Sequence, residues 1–204
     1  AFEGVLVTVE NGDVTVKSTT ETAGIQYRLQ GSTTDGKFKI YSASSFELIL
    51  NGANVLNPDG PAINIQSKKD VAVTLTTGTT NILTDGVTYA TAPNSEDQKG
   101  TFFSEGKLTF GGNGSLTIHS YGSAQHALCT DKALIFNNGS LTVSRATKDA
   151  LHAKGGLQVS GGIMNLTATG DGIDGDVAYI SITGGSVTTV NNSADTKGIA
   201  CTPP

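Results

Sequence analysis

The chain has no tryptophan and one methionine, and only 15% of its 204 residues are charged. Good helix formers are sparse, so a helical architecture is not expected. Long hydrophobic runs are missing too. No apolar stretch approaches the roughly 18 residues of a membrane span, which argues against membrane insertion. The opening AFEGVLVTVE lacks the basic and apolar regions of a secretory leader. Basic charge is also in short supply. The net charge of −5 has the wrong sign for nucleic acid or an anionic membrane as a direct partner. There are two cysteines, Cys129 and Cys201, and neither has the short-spaced ligands of a zinc site. They read as unpaired thiols filling small sites.

What is abundant is glycine, at 26 residues, together with Val, Ile, Thr, Ser and Asn. This is strand-and-turn composition. The turns fall at regular places because the chain repeats. Short apolar strands begin at Leu108, Leu134, Leu157 and Ile180, spaced by 26, 23 and 23 residues. A second series after glycine turns, Leu116, Leu141, Met164 and Val187, is spaced by 25, 23 and 23. A third series consists of small–apolar pairs: Ala127-Leu128, Ala150-Leu151, Gly172-Ile173 and Gly198-Ile199. Each unit therefore holds three short strands and no helix, the signature of a parallel β-helix. One unit cannot bury its apolar face; stacked units share a continuous column of Leu, Ile and Val. A β-sandwich also has frequent short strands, but it does not preserve three anchors in one register.

The expectation is an all-β, single-stranded, right-handed parallel β-helix forming one domain over residues 1–204. Residues 1–50 alternate without holding the 23-residue register and are expected to be an irregular N-terminal cap, or the start of the solenoid. Residues 51–204 supply the stacked coils, with a coil opening at Gly60 and a polar loop inserted at residues 84–99. Pro203 and Pro204 either end the ladder and protect its edge or follow a coil that breaks off.

The third series carries the chemistry. Asp149 and Asp171 stand just before the small–apolar pair in successive units, and His126 holds that position one unit earlier. On adjacent coils the carboxylates fall about 5 Å apart, where two charges repel by roughly 3 kcal/mol at an effective dielectric near 20. Three outcomes stay open: a wet pair, one protonated acid, or a bridging cation. Asp174, Asp176 and Asp195 follow nearby. Short aspartates beside exposed turn carbonyls suit calcium and its six to eight oxygen ligands. Against this, Asp-Gly is an ordinary turn dipeptide, and solvated turn acids explain the pattern equally well.

The segments GPAINIQSKKDVAVTLTTGTTNILTDG, KGTFFSEGKLTFGGNGSLTI and KDALHAKGGLQVSGGIMNLTATGDGIDGD resemble one family across about Phe46 to Ile199. It is the calcium-binding β-helix family of carbohydrate-binding domains, related in fold to polysaccharide lyase family nine pectate lyases. The resemblance implies a secreted or cell-surface bacterial protein that binds plant-type polysaccharide, either cellulose or an acidic chain such as polygalacturonate. It also implies Ca2+ at the coil corners, with Asp149 and Asp171 as ligands and Asp174 and Asp195 as additions. The common double-acid form is broken here, because Lys148 and Gly170 take the first-acid place.

Candidate sugar contacts are Tyr89 in the inserted loop and Tyr121 at a corner, as stacking platforms, with Lys148, Lys154 and His152 beside the acid column. The first alternative is a pectate-like lyase, in which calcium neutralises a uronate carboxylate and Lys132, Lys148, Lys154 or Arg145 takes the α-proton. The second is an adhesin-like structural stalk. Cys129 aligns with His152 one unit earlier, but nothing supplies the third group or oxyanion hole of a nucleophilic pair. Asn113, Asn138, Asn165 and Asn191 head glycosylation-type triplets that turn chemistry already explains.

Overall fold

The structure, a computed structural model, describes residues 2–176 and 178–201. It is a parallel β-solenoid of about seven turns with almost no helix. Each full coil contributes one strand to each of three faces. Face A stacks Asp13–Ser18, Phe38–Ser42, Ile63–Ile65, Gly100–Ser104, His126–Thr130, Leu151–Ala153, Ile173–Asp174 and Ile199–Ala200 in parallel. Face B stacks Val71–Leu75, Leu108–Gly112, Leu134–Phe136, Leu157–Val159 and Ile180–Ile182. Face C stacks Thr80–Asp85, Ser115–His119, Ser140–Arg145, Ile163–Ala168 and Ser186–Asn191. The long strand Phe46–Asn57 spans faces B and C, pairing with Val71–Leu75 along its first half and with Thr80–Asp85 along its second.

The repeat anchors are the pairing register. Leu108, Leu134, Leu157 and Ile180 lie opposite one another on face B. Leu116, Leu141, Met164 and Val187 do so on face C, and Leu128, Leu151, Ile173 and Ile199 on face A. Alternation turns these side chains inward. The core is a column in which Phe102, Phe110 and Phe136 stack with centroids 5.9 Å apart at each step. Asn81 takes the leucine place on face C and is fully buried. Its amide survives there because Oδ1 accepts the Gly52 and Ala53 N–H groups and Nδ2 donates to the Ser115 carbonyl.

The coils start earlier than the sequence register indicates. Val16 pairs with Ile40, and Phe38 with Ile63, in the same parallel register as the later coils. Among the described strands only Val5–Glu10 is antiparallel, lying against Asp13–Ser18. These early coils share the inward apolar pattern and have glycine corners of their own at Gly12 and Gly36, but Asp13 and Lys37 stand where the later copies carry the small residue of the small–apolar pair. The corner between faces B and C is built on glycine. At Gly162 φ is +79°, and a Cβ there would stand 2.6 Å from the Gly139 carbonyl oxygen of the coil below. Pro203 and Pro204 lie outside the described residues.

Candidate polysaccharide-binding face

The outward residues of face A form a ladder of their own. Lys39, Asn64, Phe103, Cys129, His152 and Asp174 pair in sequence, one per coil. The insertion, which leaves face C after Asp85 and returns at Gly100, folds over the first half of this ladder. Glu96 forms a buried ion pair with Lys39 and accepts the Tyr41 hydroxyl at 2.6 Å. Gln66 donates to the Asp97 carbonyl at 2.8 Å, and the Lys99 ammonium sits 5.5 Å over the Phe103 ring.

Asp85 anchors the root of this loop, a role the sequence reading missed. Its buried carboxylate accepts the hydroxyls of Tyr89 at 2.6 Å, Thr101 at 2.9 Å and Ser120 at 3.2 Å, and the N–H groups of Tyr121 and Gly122. Tyr89 is therefore a structural tie and not a free platform. Burial, and then the neighbouring Asp85 charge, push its phenol well above the ordinary range. Tyr121 is exposed, but the Arg145 guanidinium covers its ring at 4.4 Å.

Beyond the loop the second half of the ladder opens into a depression of about 320 Å³ lined by Lys99, Gln125, His126, Asp131, Lys148, His152, Lys154 and Asp176. Three of the five expected sugar contacts, Lys148, His152 and Lys154, meet here. Lys148 and Lys154 flank the strand Leu151–Ala153, from which His152 projects. Among the described residues neither lysine has a carboxylate within 4 Å, whereas Lys99 is paired with Asp97 and Asp131.

Each member of the aspartate column meets the backbone of the next coil. Asp149 Oδ1 accepts the Asp171 N–H at 2.7 Å, and Asp171 Oδ1 accepts the Lys197 N–H at 2.7 Å. Each carboxylate thus meets the backbone of the next coil in place of the next carboxylate, which removes the repulsion expected from their spacing. Gly170 permits this approach, since a Cβ there would stand 2.4 Å from Asp149 Oδ1. Asp149 Oδ2 faces His126 Nδ1 at 3.1 Å, close but out of line for a hydrogen bond. Burial raises the Asp149 carboxyl, but His126 and the Asp171 N–H outweigh it and hold it below the usual range. His126 itself is pushed down, mainly by burial.

Asp174 turns Oδ1 to the Asp176 N–H and Oδ2 to His152 Nδ1 at 3.0 Å. Asp195 sits exposed in the last turn at φ +63°. The four expected calcium ligands therefore do not converge. Asp149 and Asp174 come together only around the His152 imidazole, and most of their oxygens are committed. A cage of six to eight oxygens does not fit these residues as they are arranged. Nothing in the sequence brings His126 and His152 into contact with each other. In the fold their rings stack at 4.4 Å, because His126 at the corner leans onto the coil above.

The molecule is thus a parallel β-solenoid in which one face carries a polar ladder, half covered and half open. The chain belongs to a carbohydrate-binding domain-containing protein family, which matches residues 6–203. Among solved structures it is similar to the polysaccharide lyase-like protein from C. thermocellum, determined as a gadolinium derivative. That similarity has a TM-score of 0.80 and 25% identity over 100% of this chain and 90% of that chain. No curated protein matches the chain. Among the described residues no helix is long and apolar enough to cross a membrane.

Proposed function

We propose that this carbohydrate-binding domain takes an acidic, plant-type polysaccharide such as polygalacturonate along the open half of face A, as a module of a secreted or cell-surface protein. The observation that carries this is the pair of carboxylate-free ammonium groups, Lys148 and Lys154, set at either end of the strand that presents His152. A protein of net charge −5 repels a polyuronate at long range. Local ammonium groups reverse that sign where the chain lies, through charge-assisted hydrogen bonds to sugar carboxylates. Neutral cellulose is the weaker candidate, because the described face offers no open aromatic platform: Tyr89 is tied to Asp85 and Tyr121 is capped by Arg145. Calcium is given no role, since the acid column is engaged with the backbone.

Calorimetry with polygalacturonate oligomers and with cello-oligomers tests this. Saturable binding of the acidic oligomers is expected, undiminished by a calcium-selective chelator. Lys148→Ala and Lys154→Ala should each weaken it about tenfold, or about 1.4 kcal/mol. Preference for the neutral oligomer, or unchanged affinity in the double variant, would overturn the assignment. Release of unsaturated uronate products would show lyase chemistry instead.

A further inference from the structure

The open half of face A also gathers a donor set that the sugar reading does not use. One ring nitrogen of His126, one of His152 and the Cys129 thiol lie within 4.8 Å of one another. They come from two successive coils: Cys129 and His152 are register partners, and the His126 ring stacks on that of His152 at 4.4 Å with an interplanar angle of 23°. No short sequence spacing announces this set, because the solenoid brings it together at a separation of 23 residues between Cys129 and His152. Cys129 is fully buried and His126 is 4% exposed, so the donors are shielded from water on all but the His152 side.

We propose that His126, Cys129 and His152 form a binding site for a borderline divalent cation of the zinc type. Two imidazoles and a sulfur suit such a cation and not calcium, which takes oxygen. The surroundings supply the outer support such sites use. Each imidazole turns Nδ1 toward a carboxylate, His126 toward Asp149 at 3.1 Å and His152 toward Asp174 at 3.0 Å. That leaves Nε2 of each ring as the lone pair for a metal, the carboxylate–histidine–metal arrangement.

His126 Nδ1 is buried without a properly aligned partner, so the ring gains from a small rotation that completes its bond to Asp149. A tetrahedral zinc holds its ligand atoms about 3.5 Å apart, so the donors close in by roughly an ångström on binding. Three protein ligands leave a fourth position to solvent. The Lys148 ammonium, 3.1 Å from His126 Nε2, occupies the approach, and its flexible stem swings aside as the cation enters. Burial holds the Cys129 thiol up at about 12, and the cation displaces that proton as it binds.

The test uses the metal alone and no glycan, so its outcome is separate from that of the polysaccharide reading. Chelator-stripped protein is titrated with Zn2+ by calorimetry and with Co2+ in the visible range. One equivalent per chain is expected, with a sulfur-to-cobalt charge-transfer band. Cys129→Ser should abolish the band, while Cys201→Ser keeps it. His152→Ala should abolish binding. Asp174→Asn, which removes only the carboxylate behind the ring, should weaken binding about 10–100-fold, and Lys148→Met should tighten it. Thermal melts of the apo variants confirm that each is folded. Absence of stoichiometric zinc binding, or binding that persists in a folded Cys129→Ser, His152→Ala double variant, would overturn the site.

Discussion

The outward ladder of face A is one structural feature with two halves. From Lys39 to Phe103 it lies beneath the inserted loop, and past the buried Cys129 it is open at His152 and Asp174. Backbone geometry is the same in both. What differs is how charge is settled. Under the loop, Lys39 is matched by Glu96 and Tyr41, with side-chain exposures of 8% and 12% for the ion pair. In the open half, Lys148 and Lys154 have no carboxylate partner among the described residues, and two histidines stand back to back. A solenoid offers the same lattice at every coil, so the open region is defined by where the covering segment stops.

The sealed half should be the more sensitive to loss of one partner. Glu96→Ala leaves the Lys39 ammonium buried without its counter-charge and strips the Tyr41 hydroxyl of its acceptor. A loss of about 3–5 kcal/mol is expected in denaturant unfolding. Its neighbour Asp97 faces Lys99 with both side chains about two-fifths exposed. Asp97→Ala should cost less than about 1 kcal/mol. Equal effects from the two substitutions would break the contrast between sealed and open regions.

In the open half the larger effect should fall on binding and the smaller on folding. The affinity for acidic oligomers should drop as salt rises, since exposed ammonium–carboxylate contacts are screened within about 8–10 Å at physiological ionic strength. In the Lys148→Ala, Lys154→Ala double variant the residual affinity should become nearly independent of salt, with stability within about 0.5 kcal/mol of the parent. A salt dependence that survives both substitutions would move the binding face elsewhere.

The two halves were not equally legible in the sequence. The repeats at Leu108, Leu116 and Leu128 fixed the later coils because a corner glycine and an acid recur beside each apolar strand. From Asp13 to Asn57 the alternation and the turn glycines persist, but Asp13 and Lys37 replace the small residue of the third series, and alternation with turns alone does not distinguish a cap from a coil. Lys148, His152 and Lys154 were found because they sit next to the aspartate column. The sealed half was invisible, since Lys39 and Glu96 are 57 residues apart and Glu96 belongs to an insertion whose path no periodicity dictates. The immediate partners of the aspartates are not legible in the sequence for a related reason. Spacing placed two carboxylates side by side, but only the fold shows that Asp149 reaches the backbone of the next coil first.

A modest expected effect concerns the root of the loop and has a definite pH signature. Tyr89 is held protonated by burial and by the Asp85 carboxylate. An unfolded tyrosine ionises near pH 10, so the folded phenol loses its proton only at higher pH than the unfolded one. The stability this confers is fully present below about pH 10 and declines as pH rises further, by about 1.4 kcal/mol per pH unit for one proton. Tyr89→Phe removes one of the donors to Asp85 and should cost about 1 kcal/mol at neutral pH. Above pH 10 the variant should lose stability less steeply than the parent, so that the two unfolding curves converge. Parallel curves through pH 11 would mean that the phenol is not sealed beneath the loop, and the boundary between the two halves of face A would then lie closer to Phe103.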